Sequence, residues 1–595
     1  METQLTADVL IIGGGPAGML SGIYLDLLGV SSILLERKPE ISVHPKAHEL
    51  SARSIEILCQ LGFTLEELRE EASSYRDASR VLFGHTINHE LGEIDLLEGG
   101  NDQKYEKHLA SPEPYLNLSQ TELEKLMRKK LEECTQARLL LAHQWEGMEE
   151  HAEGVRSRVL HLEEEQHIHI DSKYVICADG AGSRSRKVLG IEMIGDEKIN
   201  DFISVYFELN LREHLRKSAK LYWVMHPEAP GTFIAHHIEK RWVYHFPIFT
   251  PHERKEQYTE EVVKKRILTA LGNPDIPLDI HSISLWRMTC QIAQTFRKGR
   301  ALLVGDAAHR FPPTGGLGMN SGIGDVQNLC WKLALVLQGK AGEPLLDTYE
   351  QERRPVIEQN SEESLRNYFK IWEVPQAMGL NPKAIKWQAI ILNSSLVRLL
   401  PNSWLTSILQ KAYASLSKKI LGIPHKPSLH EKVKAVIKDQ IAHFDRIGLD
   451  LGYAYEKGAI IPSPKLNVPE QTVSTYTPSL VPGARFPHFW LKGDGQRMSS
   501  HEWLSPTGFT LLYNQEGKKW WEQQLGNSPE LGTLVRPINI EEALDIDPTE
   551  SEESFKYPIQ DIPLLLIRPD GQICWRPHEL PQDSSPIFTQ LLSIT

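Results

Sequence analysis

Unbroken apolar runs alternate with segments of helical period along the first third of the chain. Val9 to Ile12 carries no polar break, which predicts a parallel strand covered on both faces. A helical pattern runs from Met19 to Leu28 and stops at Gly29, a residue favoured just past a helix end. Ser32 to Leu35, Tyr174 to Ala178 and Ala301 to Val304 predict three further buried strands, and Ser321 to Leu337 predicts a helix. Residues 191–280 change character. There Phe202 to Leu209, Leu221 to Met225, Gly231 to Ile238 and Arg241 to Phe246 read as aromatic-rich strands of an antiparallel sheet, and residues 80–104 add a strand pair. From Pro355 to residue 460 the pattern is helical, broken by prolines 375, 382, 401, 424 and 427. Residues 463–490 are loop-like, and Gly508 to Tyr513 and Pro563 to Gly571 predict strands ahead of Cys574.

The first strand leads directly into Gly13-Gly14-Gly15-Pro16-Ala17-Gly18, with the spacing G-x-G-x-x-G, and the second strand ends at Glu36. Each part has a physical task. Gly13 permits a tight turn, Gly15 lets backbone approach a pyrophosphate, and Gly18 lets helix and strand pack closely. The helix N-terminus then offers unpaired N–H groups to phosphates. An acidic residue at the end of the second strand suits a free ribose 2′-hydroxyl, as in FAD or NAD, and repels a 2′-phosphate.

Two later segments favour a flavin. Asp179-Gly180 follows the third strand, and Gly305-Asp306 follows the fourth. Pro312-Pro313-Thr314-Gly315-Gly316-Leu317-Gly318-Met319-Asn320 comes next, just ahead of a helix. A carboxylate at a strand end suits a ribityl hydroxyl beside Asp306. Backbone amides of Gly318, Met319 and Asn320 can face the pyrimidine edge of a flavin, where the reduced ring carries negative charge. Asp179 and Asp306 also fit helix N-caps, His309 fits a packed loop histidine, Arg186 fits a solvated helix face, and Cys177 and Cys330 fit core.

Together these motifs resemble the single-component FAD-dependent aromatic hydroxylases, the group A flavoprotein monooxygenases. The resemblance extends to His44-Pro45-Lys46-Ala47 with Arg53, to Gln120 with Leu123-Glu124, to Asn328 with Trp331-Lys332-Leu333, and to Tyr349-Glu350 with Glu352-Arg353-Arg354-Pro355. It implies that Gly13, Gly15, Ala17, Gly18, Glu36 and Arg37 hold the adenosine end of FAD. It further implies that Arg53 and Gln120 contact the pyrophosphate and ribityl regions, and that Asp179-Gly180 serves both FAD and NADPH. Asp306 would bind the ribityl chain, with Pro313, Gly316, Gly318, Met319 and Asn320 beside the isoalloxazine and Pro313 and Gly316 at the reaction centre. Lys46 stands where many members carry arginine; lysine keeps the charge but loses bidentate phosphate geometry.

The fold implied is α/β: a Rossmann-like FAD-binding domain of the p-hydroxybenzoate hydroxylase type, an antiparallel β-sheet substrate domain and a thioredoxin-like C-terminal domain. The boundaries expected are 1–79, 105–190 and 281–360 for the FAD-binding domain, and 80–104 with 191–280 for the substrate sheet. Residues 361–462 would form a helical connector and 463–595 the C-terminal domain. Its single cysteine, Cys574, rules out dithiol chemistry. Tyr222, Trp223, His236, His237, Tyr244 and Trp286 are the candidate pocket residues. The expected activity uses NADPH or NADH and O2 to hydroxylate a phenolic or polyketide-like ring through a C4a-hydroperoxyflavin. Baeyer–Villiger insertion and a flavoprotein oxidase or reductase are the alternatives. No W-x-W-x-I-P motif is present, which argues against a tryptophan-type halogenase.

Composition removes other classes. Lys plus Arg is 65 against Asp plus Glu at 78 over 595 residues, a net charge of −13, which disfavours a nucleic-acid partner. The six cysteines lie far apart with no C-x-x-C, so neither a zinc ribbon nor a disulfide framework is expected, and no metal site is. The N-terminus lacks a signal-peptide pattern, and no apolar run reaches the roughly 18 residues of a membrane span. The expectation is a cytoplasmic enzyme without a membrane partner; a homodimer is compatible with it, and the oligomeric state stays open.

Overall fold

The computed structural model describes residues 4–40, 46–97, 110–251, 253–380, 402–463, 465–492, 497–527, 529–543 and 559–593. His44 and Pro45 of the resemblance, the end of the expected 80–104 strand pair, and the prolines at 382 and 401 lie outside the described residues.

The apolar runs assemble into a parallel sheet. Gln4–Ile12 lies between Ser32–Leu35 and Gln166–Cys177, which flank it in parallel register, with Ala137–Leu140 and Ala301–Leu303 outside them. Val9 to Ile12 and Leu302 are each at most 5% exposed, because helices Pro16–Leu27 and Gly318–Leu337 cover the sheet. The first helix starts at Pro16, three residues ahead of the apolar periodicity. Proline is suited to a first helical turn, where its missing N–H costs nothing.

A second sheet of eight strands runs His309–Arg310, Asp279–Ala293, Met193–Glu208, Arg241–Ile248, Pro230–His237, Leu221–Met225, Arg80–Gly84 and Glu90–Asp95. Strand alternation gives it two unlike faces. Ile203, Val205, Phe207, Tyr222, Phe233, Trp242, Tyr244 and Phe246 pack into one core with Val263 and Ile267 of helix Glu260–Leu271. The opposite face presents Phe202, Ser204, Trp223, His236 and Trp286. The boundary expected at residue 280 is corrected here: Asp279–Ala293 pairs with Met193–Glu208 along most of its length and belongs to this sheet.

The expected connector boundary at residue 361 is also corrected, since helix Asp347–Lys370 runs through it without a break. Helices Glu373–Ala377, Asn402–Leu421 and Pro427–Lys438 follow, and Ile371, Val374, Ile420, Val433 and Ile437 pack on Val81, Phe83 and Leu91 of the second sheet. The C-terminal domain is built on a four-stranded mixed sheet ordered Val535–Asn539, Phe509–Tyr513, Leu564–Ile567 and Ile573–Trp575. Cys574 is buried in it.

Candidate active site

The glycine loop has the geometry a dinucleotide needs. Gly13 has φ +109°, and a Cβ there would stand 2.4 Å from the Ala178 carbonyl oxygen. A Cβ on Gly18 would stand 1.8 Å from the Gly13 oxygen, so the helix could not approach the strand. In front of Gly15, by contrast, there is open space. Glu36 accepts the Gly14 N–H at 2.9 Å and the Lys38 N–H at 2.9 Å, which fixes its carboxylate beside the loop. Ala17 is half-buried, its Cβ 3.5 Å from a Cβ position on Gly305, and Arg37 is exposed. Strand end, open glycine and uncapped helix N-terminus therefore fit the phosphates of FAD.

The Gly305-Asp306 turn meets this loop from the other side. Asp306 is exposed at the strand end, yet the surrounding protein raises its carboxyl, against the pull of His309, Lys46 and Arg310. The turn rests on a residue that the motifs did not single out. Buried Asp325 accepts the Gly305 N–H at 3.1 Å, His309 Nε2 at 2.6 Å and Arg353 Nε at 2.9 Å. Its only sequence signal is that it is the one acid in helix Gly318–Leu337. His309 is thus a buried, hydrogen-bonded residue, expected in a loop but found in the edge strand His309–Arg310, and it stacks on Phe311.

Asp179 is committed locally. Its oxygens accept Ser183 Oγ, the Ser185 N–H and Ser185 Oγ, which leaves it bracing the turn at Gly180. Arg186 is buried rather than on a solvated face, and its Nη1 donates to the Ala307 carbonyl at 3.0 Å. Burial first, and then the nearby Arg310, lower the Arg186 pKa, burial also lowers that of Arg310, and among the described residues neither arginine closes a salt bridge.

Arg53, expected at the cofactor, keeps a buried Nε without a hydrogen-bond partner among the described residues, while its terminal nitrogens are engaged by protein. Nη1 donates to Glu56, Nη2 donates to Gln327 and to the Asp570 carbonyl, and the side chain is 6% exposed. Its terminal nitrogens are committed to the interface with the C-terminal domain. Lys46, exposed nearby, is the cation in electrostatic reach of Asp306 and Glu124. Gln120 braces Ala47 through its backbone N–H and holds Glu124 at 2.7 Å.

The flavin loop closes on itself where Gly316 N–H donates to the Pro313 carbonyl at 2.9 Å, leaving Pro313 exposed. Gly318, at the start of its helix, has no heavy atom within 4 Å of a Cβ position, and Met319 is half-buried. Asn320 Nδ2 donates to the Gly316 and Glu49 carbonyls at 2.6 and 3.0 Å, while its Oδ1 accepts the Ser51 N–H. Beside Glu49, His48 Nδ1 lies 2.7 Å from Asn117 Oδ1, and the His48 ring meets His236 edge-on at 5.3 Å. Of the candidate pocket residues, Trp223, His236 and Trp286 share this face of the sheet. Tyr222 and Tyr244 turn into the opposite core, a correction that follows from strand parity, and the strand register shifts between Ala235 and His237.

Comparison with known proteins settles the family. Residues 6–364 match the FAD binding domain model, and residues 479–591 match the aromatic-ring hydroxylase C-terminal model. The chain belongs to the FAD-dependent aromatic-ring hydroxylases. It is 28% identical to 2,4-dichlorophenol 6-monooxygenase of Delftia acidovorans, over 96% of this chain and 95% of that one. It is 29% identical to aklavinone 12-hydroxylase RdmE of Streptomyces purpurascens, over 98% of each. Among solved structures it resembles the flavin-dependent monooxygenase PieE in complex with FAD and substrate, with TM-score 0.84 and 27% identity over 99% of this chain and 100% of that one. Like them it is an FAD-dependent monooxygenase with the hydroxylase fold. Among the described residues no helix is long and apolar enough to cross a membrane.

Proposed function

We propose that this hydroxylase acts on a ring bearing a free phenolic hydroxyl, and that His48 takes the phenol proton. The observation that carries this reading is the His48–Asn117 pair. Asn117 Nδ2 donates to the Ala235 carbonyl and to Ser73 Oγ, both at 3.1 Å. A carbonyl can only accept, so the amide orientation is set and Oδ1 faces His48. His48 must then carry its proton on Nδ1, which leaves the Nε2 lone pair to accept one. Burial lowers the His48 pKa, partly opposed by Glu49, so the ring is neutral at pH 7 and ready to act as a base.

Bound FAD supplies hydride acceptance from NAD(P)H and activation of O2. The chain does the rest. Gly15 and the first helix N-terminus bind phosphate, Lys46 adds a cation, and Asp306 orients the ribityl hydroxyls. Arg186 and Arg310, two cations without an acidic partner at contact among the described residues, offer a docking place for the phosphates of NAD(P)H. Removal of the phenol proton at His48 pushes electron density into the ring, so its ortho and para carbons become the nucleophile for oxygen transfer. The aromatic face of Trp223 and Trp286 excludes water.

The test is phenol-stimulated NAD(P)H oxidation by the FAD-loaded protein, with 2,4-dichlorophenol as first probe and 18O2 as oxidant. One labelled ring hydroxyl per NAD(P)H supports the reading. Peroxide alone across a panel of phenols and polycyclic phenols would overturn it, and an ester product would move the enzyme to Baeyer–Villiger insertion.

A further inference from the structure

The stretch between the two family matches, residues 365–478, meets the flavin loop with Asn367 against Gly315 and with Arg446 against Gly316. Arg446 is 5% exposed, and its Nη1 donates to Glu49 Oε1 at 2.5 Å. Its Nε lies 3.5 Å from Asp450 Oδ1. The guanidinium lies along the loop: a Cβ on Gly316 would stand 3.6 Å from both Nη1 and Nη2. The other Glu49 oxygen takes Lys220 Nζ at 2.5 Å, at the entry to strand Leu221–Met225 of the second sheet. Lys220 is 1% exposed, with Nζ over the rings of Tyr115 and Phe444.

One carboxylate therefore joins three parts of the molecule. Its side chain holds the substrate sheet through Lys220 and the connector through Arg446. Its carbonyl shares the Asn320 amide with Gly316, so the same residue is tied to the flavin loop. Burial alone would raise the Glu49 carboxyl, but Lys220 and Arg446 hold it far below the usual range, so it stays ionised. Burying two cations and an anion is a poor route to stability, because desolvation offsets most of the attraction. Fixed charges in a buried site are better suited to setting one geometry among several. The neighbours facing this cluster are His48, His443, Asp445 and Asp450; among the described residues His443 Nδ1 has no hydrogen-bond partner.

We propose that Arg446 is a positioning residue for oxygen transfer. Through Glu49 it sets the Gly315-Gly316 loop against the Lys220 edge of the substrate sheet, so the connector fixes the registration of the substrate ring over the flavin. This rests on the hydroxylase reading above. The residues proposed for the ribose, phosphate and ribityl parts of FAD, Glu36, Gly15 and Asp306, include none of these. Loss of Arg446 therefore costs registration more than FAD binding. Oxygen then leaves by the wasteful route: NAD(P)H, a proton and O2 give NAD(P)+ and hydrogen peroxide, in place of NAD(P)+, water and hydroxylated ring.

The experiment compares wild type with Arg446→Met and Arg446→Lys as FAD-loaded full-length proteins, using 2,4-dichlorophenol or whichever phenol of the panel stimulates the wild type most. FAD affinity, the phenol-induced difference spectrum of the flavin, and the ratio of peroxide to product are read in each. Arg446→Met is expected to keep FAD affinity within about twofold, to lose most of the difference spectrum, and to raise the peroxide share severalfold. Arg446→Lys should fall between, because lysine can keep the Glu49 pair but lacks the planar group against Gly316. A wild-type difference spectrum and peroxide share in Arg446→Met overturn the proposal. If that variant does not fold, Arg446→Lys decides: a raised peroxide share at full FAD occupancy supports it, and wild-type coupling overturns it. A wild type that binds FAD but shows no phenol-stimulated oxidation overturns the hydroxylase reading, and this proposal with it.

Discussion

Arg568 of the C-terminal domain grips Glu352 of the flavin domain with both terminal nitrogens, at 2.7 and 2.8 Å, and neither side chain is exposed. Lys332 Nζ meets the same carboxylate at 2.7 Å, and Asp570 takes the remaining face of the guanidinium. The chain of charges continues from the Asp570 carbonyl to Arg53, then through Glu56 to Arg485. The helix carrying Arg53 begins at Ala52, only a few residues after His48 and Glu49. The C-terminal domain is thus part of the support for the active site.

Breaking one partner should be costly, because it leaves a buried charge unmatched. Arg568→Met is expected to destabilise the protein by about 3–5 kcal/mol, read as a fall in the urea midpoint at pH 7. Burial alone would raise Glu352, but Arg568 and Lys332 hold its carboxyl down to about 2, against an ordinary 4.5. The folded-state pKa is depressed, so the stabilisation is present above pH 4.5 and is lost as pH falls from there towards 2. The wild type should lose stability across that window, and Arg568→Met should show a flatter slope there. An equal slope in both proteins would place the acid sensitivity elsewhere.

Two glycines of one loop should fail in opposite ways. Gly18→Ala puts a methyl 1.8 Å from the Gly13 oxygen and should prevent folding or lower the melting temperature steeply. A Cβ on Gly15 has no heavy atom within 4 Å, so in Gly15→Val the fold should survive while the side chain fills the approach to the phosphates. Circular dichroism should separate them: unfolded for the first, wild-type for the second, with little yellow FAD retained. Full flavin occupancy in Gly15→Val would count against the phosphate site.

Asp325→Asn replaces a carboxylate that accepts three donors by an amide that must turn a donor towards one of them. Burial tends to raise the Asp325 carboxyl, but His309 and Arg353 pull it below the usual range, so the native group is the anion. Losing a charged acceptor of this kind costs about 1.5–3 kcal/mol. Because the Gly305 N–H is one of the three donors, part of that loss should appear as FAD affinity lowered by roughly tenfold or more. The measurement is the FAD dissociation constant by flavin fluorescence. Asp306→Ala should lower the same affinity with melting of the apoprotein unchanged, since Asp306 is exposed and its side chain makes no protein hydrogen bond among the described residues.

The parts of this molecule that could be read from sequence are those whose reason is local. Val9 to Ile12, Gly13 to Gly18 and Glu36 lie within one strand–turn–helix–strand unit, where each residue's task follows from backbone geometry. Strand existence in the second sheet was equally legible, but not its facing. Tyr222 and Trp223 are adjacent and point to opposite sides, and only the position of helix Glu260–Leu271 says which side is core. Glu49, Asn117, Asp325 and Arg446 were invisible because their meaning lies in partners far along the chain, as with Arg446 and Glu49, 397 residues apart. Arg53 shows the converse: a motif position that also carries a bond the motif does not announce, to a carbonyl 517 residues away.

The His48 assignment has a pH signature. A base must be neutral to work, and burial puts its pKa below the ordinary 6.5, with Glu49 opposing. The rate constant kcat/KM for a phenol should therefore be flat near neutrality and fall only below pH 6.5, as His48 becomes protonated. His48→Ala should lower kcat/KM by about 10²–10⁴-fold and abolish that acid limb, while FAD affinity holds. Asn117→Asp gives the ring an anionic partner, which favours the protonated imidazole, so the limb should move to higher pH. Asn117→Leu removes the fixed tautomer instead and should lower the plateau without raising the limb. Movement of the limb in Asn117→Asp together with its disappearance in His48→Ala is a pattern that mere damage to packing does not produce. An unchanged limb in both variants would assign the proton to another group, with His236, edge-on to His48, the next to test.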